Sequence, residues 1–191
     1  MARPPIIAVI GKSLKDPGDP PSPEALRAAE MVGANIAGAG AILISGGLSG
    51  VMEAASRGAK RANGLVIGML PGFKKDDANQ YVDVALTTGM GWMRNTLVVR
   101  AADAVIMISG GIGTLNELTV AYQDKPTIVL EGTGGWSDRV REIAYDGKHL
   151  DEARSATLHF ASTPEEAVDL ALALAADPSA HPKGAEKEFT S

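Results

Sequence analysis

Ala104-Val105-Ile106-Met107-Ile108-Ser109-Gly110-Gly111-Ile112-Gly113-Thr114-Leu115-Asn116-Glu117 opens as five apolar residues without a polar break, turns through small residues, and enters a segment of helical period that runs to about Tyr122. An apolar run that does not alternate predicts a strand covered on both faces, as in a parallel sheet. Glycines directly after it let the chain turn sharply into a helix, whose N-terminal N–H groups then face the same edge of the sheet. The stretch is therefore one strand–turn–helix unit of an α/β protein.

The same unit recurs on both sides. Short apolar runs at residues 6–10, 41–44, 65–69, 82–86, 127–130 and 157–161 predict six more strands. Helical segments are predicted over 23–38, 51–62, from 89 to about 101, 138–144 and 164–176. Ser22 before Pro23, and Thr163 before Pro164, have the pattern of an N-cap followed by Pro at the first helical position. The expected architecture is a Rossmann-like three-layer fold: a central parallel β-sheet flanked by helices, one domain over residues 1–177. A flexible polar tail is expected over 178–191.

Composition narrows the chemistry. Cysteine is absent from the 191 residues, which excludes disulfides, thiolate metal sites and a Cys nucleophile. His149, His159 and His181 are scattered and show no metal-ligand spacing, so no metal site is expected. The net charge of −5, with no long basic run, argues against a nucleic-acid surface. The apolar run at the N-terminus is too short for a signal peptide or a membrane span, and the expected location is the cytoplasm.

Two small-residue turns then become the candidate anion site. Ser45-Gly46-Gly47-Leu48-Ser49-Gly50 and Ser109-Gly110-Gly111-Ile112-Gly113-Thr114 each follow a strand and open a helix. Ligands of open parallel sheets bind beyond the carboxyl ends of the strands. Neither turn fits G-x-x-x-x-G-K-S/T or a G-x-G-x-x-G after the first strand, so an ATPase loop and a conventional dinucleotide site are disfavoured. The first strand's own turn, Gly11-Lys12-Ser13, lies at the same edge, and Gly11 and Ser13 join the candidate ligand contacts.

Two charged residues stand out. Arg94 heads a stripe formed by Leu97, Val98 and Ala101, where a cation is costly unless paired or holding an anion. Glu117 projects away from the stripe Leu115, Leu118 and Tyr122, with Thr119 beside it. Two readings stay open for Glu117: half of a Thr114-x-x-Glu117 capping box, or a functional carboxylate kept ionised by the first helical turn. Trp92 and Trp136 border the glycine turns, where either could stack on a planar ligand, and packing is the expected use of both.

At this point the sequence resembles the LOG ("lonely guy") family of the lysine decarboxylase-like superfamily. Residues 109–117 are similar to its Pro-Gly-Gly-x-Gly-Thr-x-x-Glu motif, residues 45–52 to its Gly-Gly-Gly-x-x-Gly-Leu-Met loop, and Arg94 to its catalytic Arg. Ser109, Asn95 and Asn116 stand where the family has Pro, Lys and often an acid. These features are closer to a sister group that includes molybdenum cofactor carrier proteins. The resemblance implies a small phosphorylated ligand, AMP-like nucleotide or pterin. For LOG enzymes it implies N-glycosidic hydrolysis of nucleoside 5′-monophosphates to free base and ribose 5-phosphate, with Arg94 and Glu117 catalytic. For the sister group it implies non-catalytic binding of the molybdenum cofactor, and in neither case a required cofactor. Ser45, Gly46, Gly47, Gly50, Asn95, Gly110, Gly111, Gly113 and Thr114 would then contact the ligand, and a homodimer or larger homo-oligomer would form.

Overall fold

The computed structural model describes residues 3–14 and 18–180. Seven strands form one all-parallel sheet: β1 (Ile6–Gly11), β2 (Ile42–Ser45), β3 (Val66–Leu70), β4 (Val84–Thr87), β5 (Ala104–Ile108), β6 (Thr127–Leu130) and β7 (Leu158–Ala161). Their order is β4-β3-β2-β1-β5-β6-β7. The Rossmann-like α/β expectation holds, with the direction of winding reversing between β1 and β5.

The apolar runs do not alternate because both faces of the sheet are covered. Ile7, Val9, Ile106 and Ile108 point into one core, shared with α1 (Pro23–Gly38), α2 (Val51–Arg61) and α6 (Pro164–Ala176). Ala8, Ile10, Val105 and Met107 point into the other, against α3 (Asn95–Arg100), α4 (Ile112–Asp124) and α5 (Val140–Ile143). Ser22 and Thr163 cap α1 and α6, their hydroxyls accepting from Ala25 and Glu166 N–H at 3.1 and 3.2 Å.

Helices α1 and α2 touch backbone to backbone. A Cβ on Gly33 would lie 1.9 Å from the Ala55 carbonyl oxygen, and one on Gly58 1.8 Å from that of Glu30. Neither neighbour is a side chain that can step aside. Gly33→Ala is expected to cost about 2 kcal/mol by forcing the helices apart, readable as a lower urea midpoint at unchanged slope.

Three local expectations need correction. The segment after Gly89 is not one helix: a 3-10 turn at Gly91–Arg94 precedes α3. Gly89 and Gly91 are both left-handed (φ +66° and +55°), with the Phe73 ring against Gly89, so the α-helix begins late. The buried residues of α3 are consequently Asn95, Val98 and Val99, with Ala102 buried just beyond its end, while Ala101 is exposed. The segment expected from 138 to 144 shortens to α5, because the Asp138 carboxylate accepts from Gly132 and Gly134 N–H (2.7 and 2.9 Å) and holds the chain in a turn. Strand β4 starts at Val84, not Val82. Val82 packs over Gly68, and Asp83 accepts the Val66 N–H through its side chain at 2.8 Å.

Of the expected tail, Pro178–Ala180 forms a short 3-10 turn and residues 181–191 lie outside the described residues. Among the described residues no helix is long and apolar enough to cross a membrane.

Candidate functional site

Strands β1 and β5 are neighbours whose following loops leave for opposite faces of the sheet, which opens a crevice beyond their carboxyl ends. The crevice is a cleft of about 740 Å³. Gly11 closes β1 there because nothing larger fits: a Cβ would lie 2.5 Å from the Ile108 carbonyl oxygen and 2.4 Å from Val51. The Lys12 carbonyl accepts the Val51 N–H at 2.9 Å, tying the β1 turn to the start of α2. Gly50 (φ +75°) permits that approach, since its Cβ would lie 2.4 Å from the same carbonyl oxygen.

Arg94 joins the remaining pieces. Its side chain is buried in the cleft floor, with the residue 6% exposed. Nη1 donates to Asn95 Oδ1 at 2.6 Å and reaches Glu117 Oε1 at 3.4 Å, and Nη2 reaches the Gly46 carbonyl at 3.5 Å. Nε has no hydrogen-bond partner among the described residues. A Cβ on Gly46 would meet Nη2 at 2.4 Å, so the glycine after β2 is what makes room for the guanidinium. Asn95 turns its amide to Asn116 Oδ1 (3.0 Å), so two neutral side chains brace the cation from outside.

Glu117 departs from its expected setting. Helix α4 starts at Ile112 with Gly111 as N-cap, and no side-chain hydrogen bond caps it. Thr114 is therefore inside the first turn, packed against Gly110, and the Thr114–Glu117 capping box does not form. Glu117 falls in the second turn, buried and facing Arg94. Burial pushes its carboxyl up to about 7 against the opposing pull of Arg94, so the expectation of a carboxylate firmly ionised by the helix terminus is overturned. Burial likewise lowers the Arg94 guanidinium, with Glu117 opposing. On the same helix Thr119 is exposed and Leu115 only half-buried, while Ala121 joins Leu118 and Tyr122 in the core.

The turn before α4 is anchored from behind. Ser109 is left-handed (φ +57°); its N–H donates to Thr133 Oγ1 at 2.8 Å, and its carbonyl accepts from the Ser137 hydroxyl and N–H at 2.9 and 3.1 Å. The loop after β6 thus holds the turn while the uncapped start of α4 faces the cleft.

Of the candidate residues, Gly11, Ser13, Arg94 and Asn95 line the cleft, together with Gly111, the N-cap of α4, and Gly113, Thr114 and Glu117 within α4. Ser45, Gly46, Gly47, Gly50 and Gly110 lie behind that lining. Ser45 Oγ accepts the Gly47 N–H at 3.1 Å, and Gly47 (φ +71°) packs on Gly68. These residues shape the walls. Trp92, assigned to packing, instead stands 73% exposed in the lining, its ring over Gly113. Trp136 does pack against the second core. Lys12 and Asp19 also line the cleft, ion-paired to each other, and the sequence reading passed over both. The available signal was position: Lys12 follows the last residue of the central strand.

Fold and cleft together define a Rossmann-like protein with a glycine-walled crevice at the switch point of a parallel sheet. The chain belongs to the SLOG cluster4 family, whose model matches residues 4–168. It is 32% identical over 125 residues to the cytokinin riboside 5′-monophosphate phosphoribohydrolase of Mycobacterium tuberculosis, covering 60% of this chain and 67% of that protein. It is similar in structure to the molybdenum cofactor binding protein of Rippkaea orientalis (TM-score 0.76, 34% identity, 91% of this chain and 99% of that one). The molybdenum cofactor carrier protein of Chlamydomonas reinhardtii is similar as well (TM-score 0.75, 30% identity, 92% and 100%). The resemblance to the LOG superfamily, with its molybdenum cofactor carrier sister group, is borne out.

Proposed function

We propose that the chain binds a small phosphorylated heterocycle in the cleft and holds it without turnover, as a carrier of a phosphorylated pterin such as the molybdenum cofactor. The observation that carries this reading is Arg94: a buried cation whose Nε has no partner among the described residues and whose only acid lies at 3.4 Å. A buried cation so loosely paired is costly, and an anion in the cleft relieves it. The uncapped N-terminus of α4 adds N–H donors and a favourable dipole for the same phosphate.

The cleft fits such a cargo on three counts. It is lined by the loosely paired Arg94, has a glycine-walled approach at Gly11 and Gly111, and carries an exposed indole, Trp92, in its lining. The named roles of the Rippkaea orientalis and Chlamydomonas reinhardtii proteins, each similar over more than nine-tenths of this chain, support the carrier assignment.

One observation favours a second reading. Glu117 and Arg94 face each other, and the resemblance to the LOG motif implies a catalytic pair of these two residues. An ionised Glu117 would stabilise the oxocarbenium-like state as the C–N glycosidic bond breaks; water then adds to the sugar carbon and the base leaves with a proton. Burial raises the Glu117 carboxyl to about 7, a range to which catalytic carboxyls are tuned; what counts against this reading is that Ser109, Asn95 and Asn116 depart from the LOG pattern.

The two are separated by incubating the protein with AMP, with N6-isopentenyladenosine 5′-monophosphate and with molybdenum cofactor. Retention of a phosphorylated ligand through gel filtration with no free base on chromatography is the expected result. Catalytic base release that Glu117→Gln abolishes would establish the hydrolase instead. Failure to retain or convert any of the three would end both readings.

A further inference from the structure

We infer that Lys12 is a second anion-contacting side chain of the cleft, held in check by Asp19 until a ligand displaces the pair. This rests on the proposal that the cleft takes a phosphorylated ligand. Among the described residues four charged side chains line the cleft: Lys12, Asp19, Arg94 and Glu117. They form two ion pairs, so with Glu117 ionised these four described side chains carry no net charge. A phosphate dianion favours a positive cleft, and the departure of one carboxylate would supply it.

The two pairs are unequal. Arg94 and Glu117 are both buried, and neither can turn to water. Lys12 is sunk in the wall with its side chain 14% exposed, whereas the Asp19 side chain is 68% exposed. An exposed carboxylate loses little on leaving an ion pair, because water replaces the lysine. Lys12 cannot follow it outward, since its backbone is pinned to Val51 and its stem is packed. The ammonium then remains with free donors at the switch point, in a lining that it shares with the start of α4. A lysine placed this way binds phosphate as a point charge, complementing the backbone donors of the helix terminus.

The test is a thermodynamic cycle read by calorimetry on the full chain, with AMP and molybdenum cofactor as probes and adenosine as the uncharged control. Lys12→Met keeps the stem and the backbone bond to Val51. It is expected to weaken binding of the phosphorylated probe about tenfold while leaving adenosine unaffected. Asp19→Asn is expected to tighten it about threefold, and that gain should vanish in the Lys12→Met background. A gain that persists without Lys12 would mean that Asp19 acts by general repulsion, and the inference would fall. So would a Lys12→Met protein that binds like the parent. If the unmodified protein binds neither probe, the proposed function itself is wrong, an outcome distinct from both.

Discussion

Glu117→Gln is expected to make the ligand-free protein more stable at pH 8, by on the order of 3 kcal/mol, and to make almost no difference at pH 4.5. The carboxyl titrates at about 7 when folded, against an ordinary value of 4.5. Between those values the unfolded chain has lost the proton and the folded chain still holds it. Fewer protons bound in the unfolded state means that stability falls as pH rises through this window, then levels off above 7. Each unit of separation is worth about 1.4 kcal/mol. Glutamine copies the protonated form and has no charge to strand, so the variant escapes the loss.

Arg94 does not reverse the sign. Its attraction for the carboxylate is already included in the raised value, which burial dominates. In a chain of 191 residues the pH 8 difference corresponds to a rise of several degrees in melting temperature, measured by calorimetry in parallel at the two pH values. A difference that stayed constant with pH, or Glu117→Gln melting lower at pH 8, would show the carboxylate to be a stabilising ion-pair partner. Stability given up at one buried carboxyl in a cleft is the usual mark of a group kept for a ligand or a reaction.

The sheet was legible in the sequence because it is buried on both faces: apolar runs such as Ala104–Ile108 have no other stable use at that length. The site was only partly legible, and the reason lies in glycine. Gly11 and Gly46 serve different ends, one admitting close backbone and the other seating the Arg94 guanidinium, yet both appear as a glycine after a strand. Glu117 was misplaced because its spacing was counted from Thr114. The true N-cap, Gly111, puts it a turn deeper, and the buried stripe is Thr114, Leu118, Ala121 and Tyr122 without Leu115, a face that includes Glu117. Lys12 was passed over because a single lysine in a turn is ordinary; only strand order reveals that this turn flanks the switch point.

Ser109→Pro is expected to be the most damaging single change in the glycine turns, costing about 4 kcal/mol and abolishing ligand retention. The LOG motif that this stretch resembles carries Pro at this position, so the substitution looks harmless by comparison. The backbone says otherwise. Ser109 sits at φ +57°, while proline is fixed near −65°. Proline also has no N–H, and here the N–H donates to the buried Thr133 hydroxyl at 2.8 Å. The Thr133 hydroxyl would keep its donation to the Leu130 carbonyl (2.8 Å) but lose its own donor, at about 1 kcal/mol, beyond the forced change of backbone. Ser109→Gly tests the conformation alone. Glycine accepts a left-handed φ without penalty and keeps the N–H, so that variant should match or exceed the parent by up to about 1 kcal/mol. The contrast between the two, read as urea midpoints, separates backbone hand from side-chain chemistry. Equal stability of all three proteins would mean that the turn before α4 is not left-handed at Ser109, and that a proline-bearing hydrolase loop could be grafted here intact. The expected divergence means instead that the left-handed turn before α4 is held by Thr133 and Ser137 from behind.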